Sequence, residues 1–411
     1  MSRKEFIAGL DIGTTKTCCV LADVDLDAQS ADIIGVGLTP SSGLRKGVVV
    51  DLDSTTEAIL SATDKAQKMG GTVSIKSVVV GVTGEHISSL NSRGVIAISS
   101  SDREVTPSDV ERVVDASKVI VLPPEREIIH SIPRDFTLDG QDGVKDPVGM
   151  SGSRLEVETH IVTGSTSFLD NIAKCVQRAG LEIDMTVLEP IATSHSAIIP
   201  AEKDLGVALV DIGGGTTDVA VFVNGEIFYT AVLPVGGNHV TKDIAVGLRA
   251  AQEEAEKAKI KYGTATASMI EPEDSFEIVS LGEESPTELP REILAKIIEP
   301  RMQEIFQMVR EELIKSGYID LLPAGAVLTG GGCQMPGTVE LAENTLGMPI
   351  RLGLPRNVGG LSDTVQSPIY TTAVGLVLFA AKQHSDLREE EKSVTLKQSL
   401  LDMFRLRKAR R

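Results

Sequence analysis

The chain has 411 residues, enough for two or more domains, and its 42% apolar and 24% charged content is that of a globular protein. A net charge of −18, no tryptophan and 3% aromatic residues exclude a nucleic-acid partner, which needs basic surface and rings that stack on bases. The longest apolar run, near residues 372–381, is about half of what a membrane-spanning helix requires.

The chain opens with MSRKEFIAGL, which runs straight into a strand with no leader pattern, so a cytoplasmic protein is expected. The stretch GLDIGTTKTC (residues 9–18) then reads as strand, tight glycine turn, strand. Cys18 and Cys19 are neighbours on the second strand and point to opposite faces, and none of Cys18, Cys19, Cys175 and Cys333 has zinc spacing, so free thiols are expected.

Further along, Thr106 precedes Pro107 and an apolar stripe of Val110, Val113 and Val114, the pattern of a capped helix. Strand-like REIIHSIPRDFTL and RLEVETHIVTG follow, so residues 85–163 form an α+β insert. A helix near 168–181 and the connector through Pro200 close the first pass of lobe one. Next comes LVDIGGGTTD (209–218), which repeats the first turn, with Asp211 200 positions after Asp11. Alternation continues to a turn at Asn224-Gly225. The charged AAQEEAEKAKIKYG reads as a helix, and 273–290 as a hairpin or loop between helices. VLTGGGCQMPG (327–337) reads as a buried strand, three glycines and a helix starting near Pro336.

The acidic SDLREEEK (385–392) reads as a solvated linker. Beyond it, Leu396, Leu400, Leu401, Met403 and Phe404 share one face of a helical wheel, followed by Arg405, Arg407, Lys408, Arg410 and Arg411. A basic amphipathic end on an acidic body is the pattern of an interfacial membrane anchor, each basic residue contributing about 1 kcal/mol near an anionic leaflet.

Neither Gly-rich turn opens a helix, which rejects a dinucleotide fingerprint, and no Gly-x4-Gly-Lys-Ser/Thr pattern is present. A glycine hairpin tip has another use: bare backbone approaches phosphate closely and its N–H groups converge on the oxygens. Thr14, Thr15, Thr216 and Thr217 add hydroxyls, Lys16 a positive charge, and Asp11 and Asp211 a carboxylate pair suited to Mg2+. Two such hairpins from two lobes form a clamp around one triphosphate.

The set resembles the ATPase fold shared by actin, sugar kinases and DnaK-type chaperones: phosphate hairpins at 9–16 and 210–218, an adenosine loop at 327–337, and connectors LEPIATSHS (188–196) and YTTAVGL (370–376). Over its whole length the chain is similar to the FtsA family of bacterial cell-division proteins, through GVTGEHISSLNSRG (81–94), VKDPVGMSGSRLEVETHIVTG (144–164), VGGNHVTKDIA (235–245), AEKAKIKYG (255–263) and IIEPRMQEI (297–305). The resemblance implies an α/β, two-lobed actin-like ATPase fold of duplicated ribonuclease H-like domains with an inserted α+β subdomain. Lobe one's core would take 1–84, 164–200 and 350–384, with the insert at 85–163. Lobe two's core would take 201–240 and 302–349, its outer part 241–301, a linker 385–393 and a membrane-targeting helix 394–411.

The resemblance further implies ATP and Mg2+ as ligands. Gly13, Thr14, Thr15, Lys16, Gly213, Gly214, Gly215, Thr216 and Thr217 would hold phosphates, and Asp11 and Asp211 would arrange Mg2+ mainly through water. Gly237, Glu256, Lys259, Gly330, Gly331 and Gly332 would hold the nucleoside. Glu189 would orient an attacking water, with at most slow hydrolysis. The C-terminal tail of FtsZ would dock on Arg301 and Lys296, the insert would contact the next protomer of a filament, and other division proteins would assemble at the inner face of the membrane. A pilus-assembly actin homologue resembling PilM, or a sugar- or acetate-type kinase, is the alternative.

Overall fold

The computed structural model describes residues 4–388 apart from 29, 72, 101 and 284. The membrane-anchor residues expected at Leu396, Leu400, Leu401, Met403, Phe404, Arg405, Arg407 and Lys408 therefore lie outside the described residues.

Lobe one begins with β1 (Lys4–Ile12), β2 (Lys16–Asp25) and β3 (Ser30–Pro40), an antiparallel meander. From Ile7 onward β1 is buried at every position, so it reads as a continuous apolar run rather than an alternation, as a strand covered on both faces must. A small hairpin of β4 (Leu44–Arg45) and β5 (Val48–Val49) leads into α1 (Leu52–Met69), capped by the Asp51 carboxylate, which accepts from the Asp53 and Ser54 amides. β6 (Ser77–Val82) then joins β1 in parallel.

The insert follows: β7 (Ser88–Ala97), α2 (Pro107–Ser117), β8 (Arg126–Leu138), β9 (Gln141–Val144) and β10 (Arg154–Ser165), its sheet ordered β7-β10-β8-β9. The expected cap of α2 is a full capping box, with Thr106 Oγ1 accepting from the Asp109 amide and the Asp109 carboxylate accepting from the Thr106 amide. α3 (Thr166–Arg178), β11 (Glu182–Leu188), α4 (Glu189–Ala197) and α5 (Pro200–Leu205) complete the passage to lobe two.

Lobe two repeats the plan. β12 (Val207–Ile212), β13 (Thr217–Val223) and β14 (Glu226–Leu233) form a second antiparallel meander, turning at Asn224 and Gly225, both with positive φ as a type I′ hairpin requires. α6 (Gly237–Gly247), α7 (Gln252–Tyr262), the hairpin β15 (Ser275–Ile278) and β16 (Thr287–Pro290), and the long α8 (Arg291–Ser316) form the outer part. β17 (Ala326–Thr329), α9 (Thr338–Leu346) and β18 (Ile350–Leu352) return to the sheet, with β17 and β18 parallel to β12. β19 (Gly359–Gly360) pairs with β3, and a last helix, α10, spans residues 371–388. The two sheets, β11-β6-β1-β2-β3-β19 and β14-β13-β12-β17-β18, thus share one design: a three-stranded meander with parallel strands added beside its first strand.

Several expected boundaries shift. The boundaries at 240/241 and 301/302 fall inside α6 and α8, so core and outer parts of lobe two share these helices. β18 still belongs to lobe two's sheet, which places the return to lobe one between 352 and 359 rather than at 350. α10 carries on through 385–388, expected as linker, because Ser385 is buried with its hydroxyl bonded to Leu26 O. α9 starts at Thr338, near Pro336 as expected, after a short 3-10 turn (Gly331–Gln334) and Gly337 at φ +80°.

One core cluster spans both lobes, with Cys18 and Val20 of β2, Ala192 and Ala197 of α4, Leu209 and Ala220 of the second meander, and Ala373 and Val377 of α10. Cys19 belongs to the opposite face of lobe one's sheet, packed under α1 and α3. All four cysteines are free and buried. The shared core places the tips of the two meanders' first hairpins against each other.

Candidate nucleotide site

The two hairpins have the same backbone. In each, Ile pairs with Thr (Ile12 with Thr17, Ile212 with Thr217), and the turn closes with the same bond, Gly13 N to Lys16 O and Gly213 N to Thr216 O, both 2.9 Å. The tips meet. A Cβ on Gly214 would lie 2.4 Å from Thr15 Cγ2, and one on Gly215 would lie 2.5 Å from Thr14 Oγ1, so only glycine lets lobe two's turn sit against lobe one's threonines. Gly330, at φ +85°, packs against Asp211 so closely that a Cβ would fall 2.2 Å from its Oδ1. The three predicted glycine segments thus converge on one narrow cavity of about 50 Å³, shared by Asp11, Lys16, Glu189, Asp211 and Asp218.

The charge in that cavity is unbalanced. Lys16 Nζ lies 2.5 Å from Asp11 Oδ2 and, among the described residues, is the one cation lining this cavity with four buried carboxyl groups. Burial opposes the charge on Lys16, but Asp11 outweighs it and the ammonium's pKa is raised. Asp211 is pushed up to about 6, by burial first and then by the charge of Asp11, although the hydroxyls of Thr372 (3.2 Å) and Thr193 (3.4 Å) donate to its Oδ2. Glu189, the first residue of α4, is pushed well above the carboxylate range by burial and then by Asp11, Asp218 and Asp211. Asp218 is likewise raised by burial, against a hydrogen bond from Thr83 Oγ1 that crosses from lobe one. A cleft of this composition favours protonated carboxyl groups unless a cation offsets their charge. No group of three or more His, Cys, Asp or Glu side chains among the described residues forms a metal-ligating cluster.

A second cavity of about 330 Å³ opens from the first, the two sharing Thr15, Lys16, Gly213, Gly214, Gly331 and Ile369. Gly237, Glu256, Lys259 and Gly332 line it, together with an apolar side of Ile260, Met302 and Met335. Lys259 Nζ sits 2.7 Å from Glu256 Oε2 and donates to Gly237 O (3.2 Å) and Thr241 Oγ1 (2.8 Å), while Thr241 donates to Glu256.

Sequence reasoning missed Asp218, Thr83, Thr193, Thr241 and Thr372. Asp218 carried a usable signal: it pairs directly with Asp211, and directly opposed residues of an antiparallel pair project to the same face. Arg301 and Lys296 lie on α8, away from both cavities. Arg301 holds Asp243 through Nε–Oδ2 (2.6 Å) and Nη2–Oδ1 (3.2 Å) and also binds Glu304, and Lys296 pairs with Glu292 at 2.7 Å.

Solved structures share this architecture. The PilM–PilN type IV pilus biogenesis complex matches with a TM-score of 0.67 at 19% identity, over 91% of this chain and 98% of that one. MreB5 of Spiroplasma citri bound to ADP matches at 0.52 and 15% identity, over 94% and 98%. The molecule is an actin-like ATPase fold built of two lobes. The family model described as "Cell division protein FtsA" matches residues 208–375, and that of the "SHS2 domain inserted in FTSA" matches 84–163. FtsA of Pseudomonas aeruginosa is 48% identical over 93% of this chain and 91% of its own, and FtsA of Bacillus subtilis 42% over 93% and 85%. FtsA of Escherichia coli K12 is 38% identical over 95% and 94%. The chain belongs to the FtsA family of cell-division proteins, and the pilus and kinase alternatives fall away.

Proposed function

We propose that this cell-division protein binds ATP between its lobes and uses it to favour a polymerising conformation that tethers FtsZ to the cytoplasmic face of the membrane. One observation carries the reading: two hairpins of identical closure meet tip to tip over a cavity in which four buried carboxyl groups face one lysine. In this reading Lys16, Thr14, Thr15, Thr216, Thr217 and the amides of Gly13, Gly213, Gly214 and Gly215 receive the phosphates. The larger cavity takes the nucleoside between Gly330–Gly332, Gly237 and the Glu256–Lys259 pair. Mg2+ would fit the excess of negative charge near Asp11 and Asp211, which would hold it mainly through water. It would supply charge neutralisation to the phosphates. Glu189, whose pKa burial and then Asp11, Asp218 and Asp211 raise well above the carboxylate range, would orient an attacking water, and a carboxyl that resists ionisation accords with slow hydrolysis.

ATP titration of the full chain by calorimetry, with and without Mg2+, tests the site. Lys16→Ala is expected to weaken ATP about tenfold or more, the value of a charge-assisted phosphate contact. ATP that does not bind, or that binds Lys16→Ala as well as the parent, overturns the reading.

No described helix is long and apolar enough to cross a membrane. The tether in this proposal is therefore the basic amphipathic segment 394–411, supported by its sequence alone. The insert (84–163) would contact the next protomer. The FtsZ tail would dock at Arg301, with Lys296 beside it, where its carboxylates must compete with Asp243 and Glu304. Removing 394–411 should abolish flotation with anionic vesicles, and unchanged flotation would discard the tether.

A further inference from the structure

The lobes enclose another cavity, of about 500 Å³, on a different wall of the molecule from the nucleotide cleft. Its apolar side includes Leu26, from the end of the β2 strand region of lobe one, and Leu378 of α10. Its polar side includes Ser194 and His195 of α4, Lys203 of α5 and Lys382 of α10.

The two lysines are out of balance with their surroundings. Lys203 donates to Ser194 Oγ at 2.9 Å and lies 4.9 Å over the Phe222 ring, neither of which neutralises a charge. Among the described residues neither Lys203 nor Lys382 forms an ion pair, although Asp204 is on the cavity wall and Glu226 is near enough to be felt. His195 adds no compensating negative charge; burial, then Lys203 and Lys382, push it down to about 3, so the ring is neutral. Lys203 itself is pushed down to about 8, by burial and then by Lys382. An ammonium partly removed from water without a paired carboxylate is costly, and a ligand that brings one relieves that cost.

We infer that this cavity is a binding site for a small amphipathic organic anion, its charged head between Lys203 and Lys382 and its apolar body against Leu26 and Leu378. Lys203 holds the head: it is half-buried, lines the cavity, and spends its ammonium only on the Ser194 hydroxyl, whose own proton goes to Ile191 O. Lys382, exposed on α10, contributes less. The size of the cavity suits a chain of several methylenes rather than a bare inorganic ion.

The test uses the full chain and octanoate as probe, followed by calorimetry, with octanol as the uncharged control. Octanoate is expected to bind saturably at one site and octanol more weakly. Lys203→Gln should weaken octanoate about tenfold or more, and Lys382→Gln about threefold, the difference between a half-buried and an exposed charge. No saturable binding up to about 10 mM, octanol equal to octanoate, or Lys203→Gln equal to the parent overturns the inference. A labelling measurement on the unaltered protein stands apart from any folding defect of a variant: octanoate should slow acetylation of Lys203 by acetic anhydride while exposed Lys296 reacts as before. Equal acetylation of Lys203 with and without octanoate also overturns it.

Discussion

The hairpins at 9–18 and 209–218 share register, closure and the Asp-Ile-Gly entry, yet each puts different chemistry on that backbone. The first has Thr14, Thr15, Lys16 and Cys18 where the second has Gly214, Gly215, Thr216 and Asp218. Side chains and a cation come from lobe one; bare backbone and a second carboxyl group come from lobe two. Had both tips carried threonine they would collide, and had both carried glycine the cleft would lack the Thr14 and Thr15 hydroxyls. Duplication supplied the frame, and divergence at four positions made the halves complementary.

That division predicts strongly unequal responses to the same change. Gly215→Val places a Cβ 2.5 Å from Thr14 Oγ1 and should force the tips apart, lowering ATP affinity about 100-fold or more in a calorimetric titration. Thr14→Gly removes atoms and creates no overlap, so a loss under about fivefold is expected. Combining Thr14→Gly with Gly215→Ala should recover part of what Gly215→Ala alone loses, the non-additivity that direct contact demands. Additive losses would show that the two tips do not touch in solution.

How much of this was readable follows from how far apart in the chain the partners lie. The turns were legible because Asp-Ile-Gly, the hydroxyls and the apolar flanks all fall within ten residues, and the α2 cap because Thr106, Pro107 and Asp109 do. The cross-lobe bonds were not. Thr83 reaches Asp218 from 135 positions away and Thr372 reaches Asp211 from 161, so neither threonine has a local pattern marking it as a carboxylate partner. The continuation of α10 through Ser385 was hidden similarly, since its acidic composition reads as solvated while its burial depends on Leu26, 359 positions earlier. The helix start near Pro336 was legible, but the positive φ of Gly337 was not, because that glycine packs against Thr266 of the outer part of lobe two.

A smaller effect separates Asp218 from its counterpart Cys18 by pH. Burial, opposed by the Thr83 bond and reinforced by Asp211, raises the Asp218 carboxyl, so at pH above the ordinary carboxylate range of about 4 the folded chain holds a proton the unfolded chain has released. The stability tied to that proton is complete below this range and is lost as pH climbs toward neutrality. Asp218→Asn removes the titration, so in the absence of nucleotide its melting temperature should rise relative to the parent between about pH 5 and 8. Cys18 is pushed up to about 12, chiefly by burial, and stays protonated throughout. Cys18→Ala should therefore show an offset from the parent that does not change with pH over that window. A flat difference for Asp218→Asn would mean that the Asp218 carboxyl is not raised in the folded chain.

The finest distinction lies one position inside the tips. Thr17 and Thr217 are equivalent in register and both fully buried, but Thr217 Oγ1 donates to Val235 O at 2.8 Å whereas Thr17 Oγ1 has no hydrogen-bond partner. Valine is nearly isosteric with threonine and lacks the hydroxyl, so the substitution reads the hydrogen bond alone. Thr217→Val leaves the Val235 carbonyl without its donor and should cost about 1 kcal/mol in urea unfolding. Thr17→Val exchanges an unpaired buried hydroxyl for a methyl and should be neutral or stabilising by up to about 1 kcal/mol, since a polar atom buried without a partner is itself a penalty. The sign of the difference decides the matter. If Thr17→Val proves as costly as Thr217→Val, the Thr17 hydroxyl has a partner in solution and the two hairpins are more alike inside than their tips imply.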